Sequence, residues 1–340
     1  MNDRRPHVSV VTPVYNGERY LEQCIRSVTA QTYQNWTYTI VDNCSTDGSN
    51  RIASEAARND PRIKVIRNDT FVGVAENHNT AIRQISSHSE YCKLLSADDW
   101  LFPEYLSTLV ELGQRHPSAA VISCYVVNKF GVPFPNLSLE EDLFGGRAVA
   151  AAFLRGEVDR FWLPTSVVFR ASFARRKHSF FPGPAPSFDL EACLECLDTG
   201  DLAFAHRVLA FERLRPDSVT AGVSSLNSTI LDRMRILEAY GPRFLQEGEF
   251  AQVRRRLLWH YYRNVLAPGL LELRGPTFWR AHSRGLQAIG RSVADWRFAL
   301  GIGAVAADAA LNPLSFCKRI VNKARRHWGR AQTDRPAARN

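Results

Sequence analysis

Over its first 130 residues the chain alternates between two hydrophobic patterns. Val8–Val14 (VSVVTPV) is a continuous apolar, β-branched run, the signature of a strand covered on both faces. Glu18–Ala30 then places Tyr20, Leu21, Cys24, Ile25 and Val28 at helical spacing. Trp36–Val41 reads as a second strand, the cluster 42–50 (DNCSTDGSN) as a turn, and Arg51–Arg58 as a helix. Ile63–Ile66, Tyr91–Leu95 and Ala119–Val127 read as further strands, with a helical run at Val74–Ile85. Strands separated by helices of this length form right-handed βαβ units and a doubly wound sheet. In such sheets the ligand sits beyond the carboxyl ends of the strands.

After Val132 the pattern loosens to about Arg155, with Pro133, Pro135 and Gly145-Gly146, and reads as an insertion. Strand character returns at Thr165–Phe169, a Pro-rich turn precedes a helix at Leu190–Leu197, and Ala203–Leu214 reads as a strand. Beyond Pro216 the chain turns helical and Arg-rich, at Ile230–Tyr240, Glu249–Leu266, Pro276–Ala288 and Arg291–Ala310. A length of 340 residues suits two domains. The expected division is 1–220, a helical region 221–332 and a frayed tail 333–340. Charge follows the same division: residues 1–205 carry 20 basic and 24 acidic side chains, and 206–340 carry 23 and 10.

The start of the chain shows no long apolar core of a secretory leader, so the protein is expected in the cytoplasm. Phe298–Leu311 is apolar but too short to span a bilayer, and reads as a core or interfacial helix. The seven cysteines are odd in number. Cys193 and Cys196 form a CxxC with no second ligand pair, so buried thiols are expected rather than zinc.

Polar and acidic residues recur at the strand ends: Thr12-Pro13-Val14-Tyr15-Asn16, then Asp42, then Asp98-Asp99. In a doubly wound sheet these converge on one crevice. Adjacent carboxylates repel unless a cation or hydroxyls meet them, and oxygen ligands suit Mg²⁺ or Mn²⁺ held together with substrate phosphates. The competing reading of Asp98-Asp99 is a cap on a helix starting near Pro103.

Taken together, TPVYNGERYLEQCIRSVTAQTYQNWTYTIVDNCSTDGS, NDTFVGVAENHNTAI and LLSADDWL closely resemble the nucleotide-sugar-binding half of family 2 glycosyltransferases, which have the GT-A fold. The resemblance covers about residues 6–215. It implies a GT-A-like α/β fold, a doubly wound mixed sheet, with a nucleotide-sugar half at about 6–130 and an acceptor half at about 131–220. It implies Pro13, Tyr15 and Asn16 near base and ribose, Asp42 on N3–H of uracil or thymine, Asn79 on the nucleotide or its loop, Asp98 near the ribose, and Asp99 on the divalent ion. From the residues alone, Asp42 serves equally as a helix cap, Tyr15 as core, Asn79 as a helix-packing amide, and His78 as a packing residue. Ser96 stands where many relatives have an acid.

In SFDLEACLECLDTGDLAFAHRVLAFERLRPDSVT the resemblance places the general base at Asp189. Glu191 is its rival, Phe188 stands where an acid is usual, and helix capping is the competing role for Asp189. Arg215 stands where relatives often have His. There it would offset charge on the departing diphosphate; otherwise it is a solvated cation. The implied reaction is inverting, Mn²⁺- or Mg²⁺-dependent transfer from a UDP- or dTDP-sugar to a saccharide or lipid-linked acceptor, in cell-surface polysaccharide or lipopolysaccharide assembly. A nucleotidyltransferase would need a Gly-rich, basic first loop, which is missing; an inactive sugar-nucleotide-binding scaffold is the second alternative.

The basic C-terminal half lacks any helix-turn-helix, zinc finger or RRM signature, which argues against nucleic acid. Its arginines are interleaved with Trp259, Tyr261, Tyr262, Trp279, Trp296, Phe298, Phe316 and Trp328. Basic and aromatic residues together suit peripheral contact with the inner face of an anionic plasma membrane, or else an ordinary helical subdomain.

Overall fold

The structure, a computed structural model, describes residues 5–159, 161–183, 187–215, 229–271 and 274–311. Two compact units are present, one of residues up to 215 with 236–250, the other of 229–235 with 251–311.

The first unit is built on a nine-stranded sheet, in the order β3-β2-β1-β4-β8-β6-β9-β5 with β7 paired to β9. The strands are β1 (Val8–Val14), β2 (Trp36–Asp42), β3 (Ile63–Arg67), β4 (Tyr91–Leu94), β5 (Trp100–Leu101), β6 (Ala119–Val127), β7 (Leu143–Phe144), β8 (Val168–Arg170) and β9 (Asp201–Phe211). β1 is parallel to β2 and β4, β2 to β3, and β6 to β9. β8 lies antiparallel between β4 and β6 and joins the two parallel halves. The sheet is therefore mixed, as the resemblance implied.

Around it pack α1 (Glu18–Thr29), α2 (Ser49–Asn59), α3 (Val74–Ile82), α4 (Tyr105–Arg115), α5 (Gly146–Arg155), α6 (Ala171–Ala174) and α7 (Phe188–Leu197). α1 buries Leu21, Cys24, Ile25 and Val28 against the sheet, four positions that share one helical face. Helix α5 occupies part of the segment that reads as an insertion. It starts on glycine because a Cβ at Gly146 would run into the carbonyl oxygen of Gly200, and that glycine hides the start from propensity. The strand expected at Thr165–Phe169 begins only at Val168, since Pro164–Ser166 form a turn.

Pro13 sits in a central strand at no cost in hydrogen bonds. Val11 faces β4, with its carbonyl accepting from Leu95 N–H at 2.9 Å. Pro13, two residues on, faces the same side, beyond the last β1–β4 pair, Val11 with Leu94.

The second unit takes its part of α8 (Thr229–Phe244) and α9 (Glu247–Tyr261), then a π-helical turn Tyr262–Leu266, α10 (Ala267–Leu271), α11 (Pro276–Ala288) and α12 (Trp296–Leu311). Its core is Leu231, Met234, Leu258, Tyr261, Tyr262, Val265, Leu266, Phe278 and Leu286. No helix among the described residues is long and apolar enough to cross a membrane.

Candidate active site

The register aligns Val14 with Asp42 and Asp42 with Arg67, so the ends of β1, β2 and β3 share one sheet edge. Leu94, at the end of the parallel strand β4, pairs with Val11 and brings Ser96–Asp99 to that edge. Residues spread over 90 positions of sequence meet there for topological reasons.

The loop after β1 is fastened to the loop after β2. Asn16 lies in the left-handed region, φ 51°, which Asn tolerates better than most residues. Its N–H donates to Ser45 Oγ at 3.0 Å, and its Oδ1 accepts from Thr46 N–H at 2.9 Å. Gly17 N–H donates to Ser49 Oγ at 2.8 Å and Glu18 N–H to Asp47 at 3.0 Å. The N-terminal amides of α1 are thus taken by side chains of the neighbouring loop, which differs from a Gly-rich phosphate cradle, where such amides face the ligand. Asp42 is wholly buried. Its carboxylate accepts from Ser45 N–H at 3.0 Å and Asn50 Nδ2 at 3.2 Å, and pairs with Arg67 at 3.4 Å. The carboxylate expected to meet the base also braces the loop.

Tyr15 behaves differently from core. It is half exposed and meets Phe71, also exposed, edge to face at 4.8 Å between centroids. Phe71, an aromatic between Thr70 and Val72 in a polar turn, has a local signal in the sequence but none that pairs it with Tyr15.

Ser96–Asp99 form a turn closed by Asp99 N–H to Ser96 O at 3.1 Å, and the two carboxylates part company. Asp99 is 5% exposed. It accepts from the Thr165 hydroxyl on one oxygen and from Arg213 N–H at 2.7 Å on the other. Burial, and then the Asp98 charge, push its carboxyl up to about 7. Asp98 keeps one-fifth of its side chain exposed and pairs with Arg215 Nε at 2.7 Å. Asp99 was expected on the divalent ion. Asp99 is built into the wall and Asp98 is the more exposed carboxylate, because Thr165 and Arg213 draw one of two chemically identical neighbours inward.

The supporting set was not legible beforehand. Arg213 lies over Tyr20 at 4.2 Å, donates to Asp98 O at 3.1 Å and reaches Gln23 at 2.9 Å. Lys93, wholly buried in β4, donates to the carbonyls of Pro164, Thr165 and Val167 at 2.6, 2.7 and 3.2 Å. Burial lowers its pKa to about 7. It fixes the turn that presents Thr165 to Asp99.

A second group surrounds the first turn of α7. Asn79 is 4% exposed; its Nδ2 donates to Phe181 O at 3.0 Å and its Oδ1 accepts from Phe181 N–H at 2.8 Å. Its amide clasps the 178–183 segment. His78 donates from Nδ1 to Val74 O at 2.8 Å and packs edge-on against Phe181 and Phe188; burial lowers its pKa to about 4. Asp189 is partly exposed and accepts from Leu190 N–H at 2.9 Å. Glu191 is buried and accepts from the Tyr240 hydroxyl at 3.3 Å. Of the two candidate bases, Asp189 is the accessible one. Cys193 and Cys196 are both buried on α7, and burial raises both thiols.

Among the described residues no cluster of three or more His, Cys, Asp and Glu side chains is arranged to hold a metal. A Mg²⁺ or Mn²⁺ ion held chiefly by substrate phosphates needs only one or two carboxylates, and Asp98 fits that requirement. A cavity of about 410 Å³ lies elsewhere, lined by Leu139–Leu143 and His206.

Residues 9–177 match the family model described as glycosyl transferase family 2. The putative glycosyltransferase EpsE of Bacillus subtilis (strain 168) is 35% identical over 130 residues, which is 37% of this chain and 46% of EpsE. The match spans less than half the length of that relative. In structure, the chain resembles S. aureus TarS 1–349 in complex with UDP-GlcNAc, with TM-score 0.63 and 18% identity over 83% of this chain and 81% of that one. It also resembles the mannosyltransferase PcManGT from Pyrobaculum calidifontis in complex with GDP-Man and Mn²⁺, with TM-score 0.54 and 16% identity over 95% and 80%. At these identities the likeness to solved structures concerns the fold.

Proposed function

The chain belongs to glycosyl transferase family 2 through residues 9–177, and on that premise we propose that it transfers a sugar from a nucleoside diphosphate to an acceptor hydroxyl with inversion. The carrying observation is the pair Asp98–Arg215 on the sheet edge that also bears the exposed aromatics Tyr15 and Phe71. Tyr15 and Phe71 offer ring surfaces to a base, worth about 1–3 kcal/mol per stacked base. Pro13 and Asn16 shape that loop, and a UDP- or dTDP-sugar is the donor class the resemblance favours. Asp98 would hold Mn²⁺ or Mg²⁺ against the diphosphate. Such an ion acts as a Lewis acid on the leaving group, and Arg215 adds a fixed cation beside it.

Asp189 takes the proton of the acceptor hydroxyl. The oxygen attacks the anomeric carbon from the face opposite the diphosphate, and the anomeric C–O bond breaks with its electrons going to the phosphate. The acceptor is a saccharide or lipid-linked saccharide of surface polysaccharide assembly. The basic second unit then rests against the inner face of the membrane.

The test is release of nucleoside diphosphate from a panel of nucleotide sugars with Mn²⁺, comparing the native chain with Asp98→Asn, Asp99→Asn and Asp189→Asn. Asp98→Asn is expected to weaken donor binding, and Asp189→Asn to abolish transfer while donor binding persists. Binding with no turnover by the native chain on any donor would indicate an inactive fold, and formation of nucleoside triphosphate and sugar 1-phosphate when pyrophosphate is added would indicate a nucleotidyltransferase.

A further inference from the structure

Helix α12 is apolar on the face it exposes as well as on the face it seats. A helix on the surface of a soluble domain turns its apolar stripe inward and its polar residues to water. Among the described residues of α12 the exposed ones are Trp296, Ala299, Leu300, Gly303, Ala306, Ala307, Ala310 and Leu311. They recur at i, i+3, i+4, i+7, i+10, i+11, i+14 and i+15, a single continuous face, and every one is apolar. Trp296 is 63% exposed, Leu300 52% and Leu311 80%. The opposite face is seated: Gly301 approaches the backbone of Tyr262 and Arg263 so closely that a Cβ there would meet Tyr262 O at 3.0 Å, and Phe298 meets Trp279 edge-on.

The aromatic residues that suggested a membrane surface in the sequence are largely spent elsewhere. Tyr261 and Tyr262 are wholly buried. Their hydroxyls are satisfied by His282 Nδ1 at 2.7 Å and Ser292 O at 2.6 Å. Trp279 donates to Arg274 O at 3.0 Å. Phe316 and Trp328 lie outside the described residues. Among the described residues of the unit, the longest exposed apolar run is the face of α12, with Trp296 at one end.

The part of the chain that carries this face is strongly basic. Residues 251–311 carry nine arginines against three carboxylates, and 312–340 carry eight basic residues against one acid. Arg255, Arg256, Arg263, Arg280 and Arg284 are exposed, and Arg263 lies where α12 crosses the π turn. A second copy on this face would bring two such basic units together, whereas anionic lipid neutralises one. At 1.5 Å per residue the helix is about 24 Å long, short of the roughly 30 Å hydrocarbon core, so it suits lying in the interface plane.

We propose that the exposed face of α12 seats in an anionic bilayer surface, with Trp296 and Leu300 among the acyl chains and the exposed arginines of the same unit drawn to the headgroups. This rests on the membrane contact proposed above and names the element that makes it.

The test uses the full chain in flotation with vesicles of equal parts phosphatidylglycerol and phosphatidylcholine, against vesicles of phosphatidylcholine alone. The native chain is expected to float with the anionic vesicles, less so at high salt, with a blue shift of tryptophan emission that Trp296→Leu removes. Leu300→Glu and Leu300→Ser should each lower binding at least tenfold while leaving the helical circular dichroism and UDP affinity unchanged. Native-like binding by both variants would overturn the role of α12 and leave a contact made by charge alone. Failure of the native chain to bind anionic vesicles would overturn both readings. A native dimer that Leu300→Glu converts to monomer, with no vesicle binding, would assign the face to a second copy and overturn the proposal.

Discussion

Asn79 offers the sharpest separation of a nucleotide contact from a structural clasp. Its side-chain amide serves the N–H and C=O of Phe181 at 2.8 and 3.0 Å in a buried setting. Asn79→Leu keeps the volume and removes both partners. Each buried backbone group left unpaired costs about 1–3 kcal/mol, so the loss should be roughly 2–5 kcal/mol, or about 5–15 °C in Tm for a unit of this size. UDP affinity per folded molecule should stay within about twofold. Asn79→Asp sharpens the test. A carboxylate oxygen can still accept from Phe181 N–H, but the other would face Phe181 O where Nδ2 now donates. Burial and that carbonyl raise the folded pKa of the new acid above its unfolded value of about 3.9. The folded state then binds more protons between the two values, so stability falls as pH rises through that window. Thermal melts near pH 5 and pH 8 should find Asn79→Asp close to native at the lower pH and destabilised at the higher. A fall of tenfold or more in UDP affinity for Asn79→Leu, with Tm within about 1 °C of native, would refute the clasp and restore the nucleotide contact.

Gly146→Ala should destabilise the first unit by about 3 kcal/mol or more, because its Cβ meets backbone at Gly200 and Leu197 rather than a movable side chain; an unchanged urea midpoint would show that α5 shifts freely. Lys93 has a folded pKa lowered by burial to about 7 from 10.5. The unfolded chain therefore binds more protons between those values, and this group's contribution makes stability rise with pH across that window. Urea unfolding at pH 7.5 and pH 9 should show the native chain gaining about 1–2 kcal/mol relative to Lys93→Met, and a difference independent of pH would contradict the burial of a titrating amine.

The parts of this fold that were legible in the sequence are those decided within a few residues. β1, β6 and α11 begin and end where their patterns do, since a continuous β-branched run or a proline in the first helical turn is local information. Two-residue strands such as Trp100–Leu101 are shorter than any period, and α5 starts on glycines that read as loop. The site divides the same way. Placing Asp98 and Asp99 at the end of β4 needed only the strand before them. Which of the two is drawn inward depends on Thr165 and Arg213, 66 and 114 residues further along. Two adjacent carboxylates are equivalent in sequence and become distinct only when distant donors choose one of them, so a motif locates a site more readily than it assigns roles inside it. Lys93 makes the converse point: a charge inside an apolar strand looks like an interruption until three carbonyls from one turn are seen around it. The C-terminal half extends this reasoning to surfaces. Composition adds its tryptophans and tyrosines together, whereas the fold withdraws Tyr261 and Tyr262 into a core and leaves apolar side chains of α12 exposed. Any property of a surface depends on that sorting, and so the perturbation that tests it is a single exposed leucine rather than the removal of the basic region as a whole.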